Sequence, residues 1–196
     1  MDEVRNVALI TIDCLRADHL PEYGYERETA PFLTSLAEQS LVFENAFATG
    51  PGTSASFPSI FTGTYPFEYG GYGELSKERT PVSAAVSEAG VDTIGVHSNT
   101  YLSRAFGYER GFDIYESFYD RPGGVVRLEN AIRDRLAEDG MPFRLLKYVY
   151  ESILGSADSG VSLPYEQANS VTDTVVDHLT DVSSPFFLWT HYMDVH

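Results

Sequence analysis

Val7-Ala8-Leu9-Ile10-Thr11-Ile12-Asp13 decides the architecture. A continuous run of apolar and β-branched residues reads as a strand buried on both faces, the kind found in parallel sheets covered by helices. The run stops at a carboxylate. Asp13 therefore stands at the carboxyl end of the strand, the edge where open α/β sheets place their ligands. Two further runs repeat the pattern. Val91 to Val96 leads into His97-Ser98-Asn99, and Pro185 opens Phe186-Phe187-Leu188-Trp189-Thr190.

Helical stretches separate these runs. Thr29-Ala30-Pro31-Phe32 opens one, with Thr29 as its cap, Pro31 in its first turn, and Phe32, Leu33, Leu36 and Ala37 as its apolar face. The turn Gly50-Pro51-Gly52-Thr53 opens a second, with Pro58 in its first turns. Thr80-Pro81 opens a third, ended by Gly90. Residues 123–155 read as helix with a break at Gly140-Met141-Pro142, Ser156 to Ser162 as a loop, and Tyr165 to Leu179 as a further helix. Leu41 to Phe47 alternates as a strand. Strands alternating with helices define an α/β class with a mainly parallel sheet sandwiched by helices, in one domain over residues 1–196.

The composition narrows the partners. Hydrophobic residues make up 43% and the net charge is −16, so the chain is a folded, strongly acidic domain. Lys77 and Lys147 are its only lysines. Many acids with few lysines suit the cytoplasm of a salt-loving organism, where salt screens self-repulsion. No basic stripe exists to bind a nucleic-acid backbone. No apolar run approaches membrane-spanning length, and the first residues do not form a signal peptide, so a cytoplasmic location is expected. Cys14 is the single cysteine, which excludes an internal disulfide and a cysteine-based zinc cluster.

The chemistry gathers at strand ends. Asp13, His97 with Asn99, and His191 with Asp194 and His196 all follow apolar runs. Thr53 is a small hydroxyl at a helix start, where free backbone N–H groups suit a tetrahedral anion. Converging on one rim, these residues would form a nucleophile site supported by a divalent metal, with Asp13 as a ligand that lowers the hydroxyl pKa. Ser54 and Ser56 compete with Thr53 for the nucleophile role. Blander readings stand beside these: His97 as a core histidine, His191 on the flank of the sheet, His178 on a helix surface, and Arg16, Asp18 and His19 as a structural cluster.

The chain resembles the sulfatases of the alkaline phosphatase superfamily from Asn6 to His196. The resemblance rests on Asn6 to Leu20, on Thr29-Ala30-Pro31-Phe32-Leu33, on Phe43-Glu44-Asn45-Ala46-Phe47-Ala48, on Ile60-Phe61-Thr62-Gly63-Thr64-Tyr65-Pro66, and on Pro185 to His196. It implies a metal-dependent hydrolase of sulfate or phosphate esters, on a small molecule or a glycan. It places Asp13 on a metal ligand and Thr53 on the nucleophile position, where Thr53 also meets the metal. It places His196 against substrate or leaving group, and His97 and Asn99 near substrate. The cation implied is Ca, Mg, Mn or Zn. The family's second aspartate is here Cys14, a residue type expected to be buried.

The family's nucleophile is a Cys or Ser in a C/S-x-P-x-R pattern that matures to formylglycine. This chain has Thr53, with Ala55 and Phe57 at the Pro and Arg positions. Threonine cannot become formylglycine, so the resemblance points to a threonine-ester route, which favours phosphoryl groups. The matched motifs stop inside the last of them. The remaining metal ligands are therefore expected beyond residue 196, and this stretch alone is expected to be inactive. A sheet edge left open at the last strand would be covered by a following segment or by a second copy. The alternative is an inactive relic that keeps the fold and binds an anion.

Overall fold

The computed structural model describes residues 6–69, 73–118, 166–182 and 185–195. Among these residues four strands form one sheet: β1 Asn6–Ile12, β2 Asp92–His97, β3 Ile114–Ser117 and β4 Phe186–Tyr192. Their order is β1-β4-β2-β3, and every pairing is parallel. The α-helices among the described residues are α1 Pro31–Ala37, α2 Thr53–Thr62, α3 Val82–Glu88 and α4 Ala168–Asp181. The expected α/β class with a parallel sheet is therefore present.

Period-two alternation along β4 builds two cores. Phe187 and Trp189 point to one face, where they meet Phe57 and Phe61 of α2 together with Leu102, Tyr108 and Tyr115. Leu188 points to the other, where Ile94 and Val96 of β2 meet Val171 and Val175 of α4. The sheet is thus covered on both sides, as its apolar β2 and β4 require. Each buried side chain of this size contributes about 1.5–3 kcal/mol relative to exposure. The two layers therefore lock the strand ends in place.

Several expectations are corrected. β1 reads as a strand buried on both faces, yet it pairs only with β4 among the described residues, and Val7 and Ile10 are 47% and 59% exposed. β4, expected at an open edge, is interior, and among the described residues the edge strands are β1 and β3. Leu41 to Phe47 is irregular. Its alternation is that of a strand, but no described strand offers it a ladder, and Leu41, Phe43 and Phe47 stand exposed. Thr29 does not cap α1. Ala30 holds that position, and the Thr29 hydroxyl donates to the His19 carbonyl at 2.6 Å. β3 goes unread in the sequence because a four-residue strand carries too little alternation. The stretches read as helix at 123–155 and loop at 156–162 lie outside the described residues. None of the described helices is long and apolar enough to cross a membrane.

Candidate active site

β1, β4 and β2 lie side by side, and their carboxyl ends deliver Asp13, His191 and Asn99 to one place. The Asp13 backbone N–H donates to the Tyr192 carbonyl at 2.9 Å, which extends the β1–β4 ladder by one residue. Cys14 then turns the chain away at φ +56, a left-handed conformation that costs a non-glycine residue about 1–3 kcal/mol. The residue that leaves the sheet is thereby fixed to the one that stays.

Asp13 collects donors. Its Oδ2 accepts from Thr53 Oγ1 at 2.9 Å and from Asn99 Nδ2 at 3.1 Å, and faces His191 Nε2 at 3.4 Å. Its Oδ1 accepts from the Cys14 thiol at 3.2 Å. The His191 interaction, joined by the Cys14 and Thr53 donors, outweighs partial burial and holds the carboxyl well below the usual carboxylate range. Asp13 is therefore ionised at any physiological pH. Cys14 is exposed rather than buried as expected, because its side chain follows Asp13 out of the sheet. The hydrogen bond to Asp13 raises its thiol pKa and keeps it protonated.

Thr53 is the first residue of α2, with Gly52 as the extended cap. Among the three competing hydroxyls, Thr53 is the one bonded to Asp13. Ser56 Oγ donates to the Gly50 carbonyl at 2.9 Å, and the Ser54 carbonyl accepts from the Gly73 N–H at 2.8 Å. Gly50 is needed where it is. A Cβ there would meet the Ala55 Cβ at 2.4 Å, so only glycine lets the turn lie against the helix it opens. Phe57 is buried under the site, with its ring edge-on to His191 at 5.0 Å.

His97 is fully buried, which agrees with its reading as a core histidine and not with the one that sets it near substrate on the rim. Its ring lies tilted against Tyr115 and Trp189, and its Nδ1 accepts from the Asn99 backbone N–H at 3.2 Å. Burial pushes its pKa down to about 3, so it is neutral. Asn99 is also buried; its Oδ1 accepts from the Tyr101 N–H at 2.9 Å while its amide holds Asp13. Asp194 accepts from the Ala168 N–H at 2.9 Å at the start of α4. His178 is half-buried, not a free surface group, and its Nε2 lies 2.7 Å from Glu116. Arg16 pairs with Asp18. His196 lies outside the described residues.

Sequence reading gave His191 little weight and passed over Thr11 and Trp189. The available signal was a polar residue two positions before Asp13, on the same face of β1, opposite a histidine of β4. Asp13 and Thr53 suit a hard cation as two oxygen donors, but a full shell needs six to eight. Among the described residues no group of three His, Cys, Asp or Glu could hold a metal. These residues thus fit part of a metal site.

A hydroxyl bonded to an ionised carboxylate thus stands at the carboxyl edge of a parallel α/β sheet. The Sulfatase family model matches residues 5–196, and the chain belongs to that family. An arylsulfatase of Hemicentrotus pulcherrimus is 27% identical over 127 residues, covering 55% of this chain and 23% of that protein. The phosphonate monoester hydrolase of Agrobacterium radiobacter shares the fold with a TM-score of 0.64 at 16% identity, over 97% of this chain and 41% of that one. The C-terminal periplasmic domain of EcEptC from Escherichia coli, solved in complex with Zn, shares it with a TM-score of 0.63 at 16% identity, over 100% of this chain and 45% of that one. The chain spans under a quarter of that curated relative and less than half of either solved structure.

Proposed function

We propose that this chain carries the nucleophile of a hydrolase acting on phosphate or sulfate esters, with Thr53 Oγ1 as the attacking atom. The observation that carries the reading is the 2.9 Å hydrogen bond from Thr53 Oγ1 to Asp13 Oδ2 at the head of a ten-residue helix. Asp13 is too weak a base to take the proton in the ground state, so it orients the hydroxyl and stays ionised. The Ala55 and Ser56 N–H groups are bonded to the Gly52 carbonyl, so the Thr53 and Ser54 N–H groups are the ones that would face the oxygens of a tetrahedral anion. Attack forms an Oγ1–phosphorus or Oγ1–sulfur bond and breaks the ester bond; the hydroxyl proton goes to solvent and the departing alkoxide takes one up. Water then attacks the central atom and releases Thr53. This last step favours phosphoryl over sulfuryl groups, because a threonyl ester has no formylglycine-type elimination open to it.

Asp13 and Thr53 are the residues that would hold a divalent cation, Ca, Mg, Mn or Zn. When bound, such a cation supplies Lewis-acid chemistry, lowering the hydroxyl pKa and neutralising an oxyanion. One observation favours a second reading as a non-catalytic anion binder: Phe57 is buried where the family pattern places an arginine. The two readings part in one assay. The full-length protein, with each cation in turn, is given bis-p-nitrophenyl phosphate, p-nitrophenyl phosphate and p-nitrophenyl sulfate. Turnover of a phosphate ester, removed by EDTA, is expected. Faster turnover of the sulfate would overturn the phosphoryl preference, and no turnover at all would select the anion binder.

The composition supports a salt-rich cytoplasm. Self-repulsion at a net charge of −16 is relieved by screening. The unfolding midpoint is expected to rise by at least about 5 °C between roughly 0.1 M and 1 M KCl, where the Debye length shrinks from about 10 to 3 Å. A flat or falling midpoint in a thermal melt series would count against it.

A further inference from the structure

We infer that His191 is a positioning residue for Asp13, and that Thr11 and Trp189 fix the tautomer in which it does so. The Trp189 indole N–H, which can only donate, reaches Thr11 Oγ1 at 3.1 Å. Thr11 has one hydrogen to give. Its Oγ1 lies 2.9 Å from His191 Nδ1 and 3.2 Å from the Thr190 carbonyl. Asp13 Oδ2, on the far side of the ring, can only accept, so the proton of a neutral ring sits on Nε2, and Nδ1 shares the Thr11 hydrogen with the Thr190 carbonyl.

The other side of the ring agrees. The two amide hydrogens of Asn99 go to Asp13 Oδ2 at 3.1 Å and to Met193 Sδ at 3.2 Å. None remains for the 3.5 Å contact with His191 Nε2. That nitrogen is therefore a donor, and the acceptor it faces is Asp13 Oδ2 at 3.4 Å. His191 is 1% exposed, with Phe57 edge-on to its ring and Trp189 stacked on it, so the ring does not swing. The parallel register sets Thr11 opposite His191 and Leu9 opposite Trp189, which puts the relay on one face of two adjacent strands.

The consequence is a choice between the two oxygens of Asp13. Oδ2 is turned inward onto Thr53, Asn99 and His191. Oδ1 meets only the thiol of exposed Cys14 among the described residues, and it is the oxygen left for a ligand. A histidine fixed by one partner and donating to a carboxylate with its other nitrogen orients that carboxylate as firmly as packing does.

The inference rests on the reading of Asp13 as the partner of Thr53, and its first readout needs neither metal nor turnover. Long-range 1H–15N spectra of the full-length protein with labelled histidine, assigned with His191→Gln, report the tautomer. The Nε2–H form is expected in the wild type, a mixture in Thr11→Val, and the Nε2–H form again in Thr11→Ser. An Nδ1–H form in the wild type, or no change in Thr11→Val, would overturn the inference. The second readout is Mn2+ affinity by calorimetry, expected to fall about ten-fold in Thr11→Val and to recover in Thr11→Ser. Equal affinity of all three proteins would also overturn it. A wild type that binds no Mn2+ would count against the metal reading instead, leaving the tautomer spectra to decide this one.

Discussion

Thr53→Ala is expected to lower kcat of the full-length protein on a phosphate ester by about 10^4-fold or more, the scale seen when a covalent nucleophile is removed. KM is expected to move little. On the proposed reading the anion meets the Thr53 and Ser54 N–H groups at the head of α2, which the substitution does not touch. Thr53→Ser keeps the hydroxyl and is expected to retain activity within about ten-fold, since it loses only the restricted rotamer of a β-branched residue. The fold should survive both changes. Thr53 follows the cap instead of forming it, so α2 keeps its Gly52 start. Equal rates for Thr53→Ala and wild type would remove Thr53 from the mechanism. Steady-state kinetics with a single-turnover trap for the threonyl ester would show the result directly.

The competing hydroxyls supply the control. Ser56 is tied to the Gly50 carbonyl that shapes the turn. Ser56→Ala should therefore cost stability by about 1 kcal/mol through a lost hydrogen bond, with a far smaller effect on kcat than Thr53→Ala. A reversal of that order would move the nucleophile to Ser56.

The sequence made the strand ends legible and left their surroundings unread, for a physical reason. Apolar runs such as Val7 to Ile12 and Phe186 to Thr190 announce strands through local pattern, and the polar residue that ends each run announces a site edge. Strand order is a non-local property. That β4 enters between β1 and β2, and so brings His191 to Asp13, is written in no segment of the chain. The same blindness left His97 open between a rim and a core reading. It closes an apolar strand as Asp13 does, yet its side chain lies in the layer with Tyr115 and Trp189. Conversely, β1 reads as interior because its residues are apolar, and sequence cannot show that its outer edge is unpaired among the described residues. Phe57 is the clearest case of meaning supplied by packing: an aromatic in a motif position becomes, in the fold, the surface on which the His191 ring rests.

Asp13→Asn and Asp13→Ala should separate the charge of this residue from its place in the hydrogen-bond array. An asparagine can set its carbonyl where Oδ2 stands and accept from Thr53, Asn99 and His191. The loss at pH 7 is then about 1 kcal/mol, the difference between charge-assisted and neutral hydrogen bonds. Alanine accepts nothing, and it strands donors of Asn99 and His191 that are almost wholly buried. That variant should lose about 3 kcal/mol. Divalent-cation affinity should fall in both, because each removes the anionic oxygen. The pH dependence separates the proteins again. The folded Asp13 pKa is depressed, so its contribution is full above the unfolded value near 3.9 and is lost as pH falls toward the folded one. Wild-type stability should therefore decline between about pH 5 and pH 2, and the gap to Asp13→Asn should close over the same interval. Urea unfolding of the three proteins at pH 7 and pH 3 measures this. A gap between wild type and Asp13→Asn that widens in acid would mean that the carboxylate is not stabilised by its donors. The basis for treating Asp13 as the fixed, ionised partner of Thr53 would then be gone.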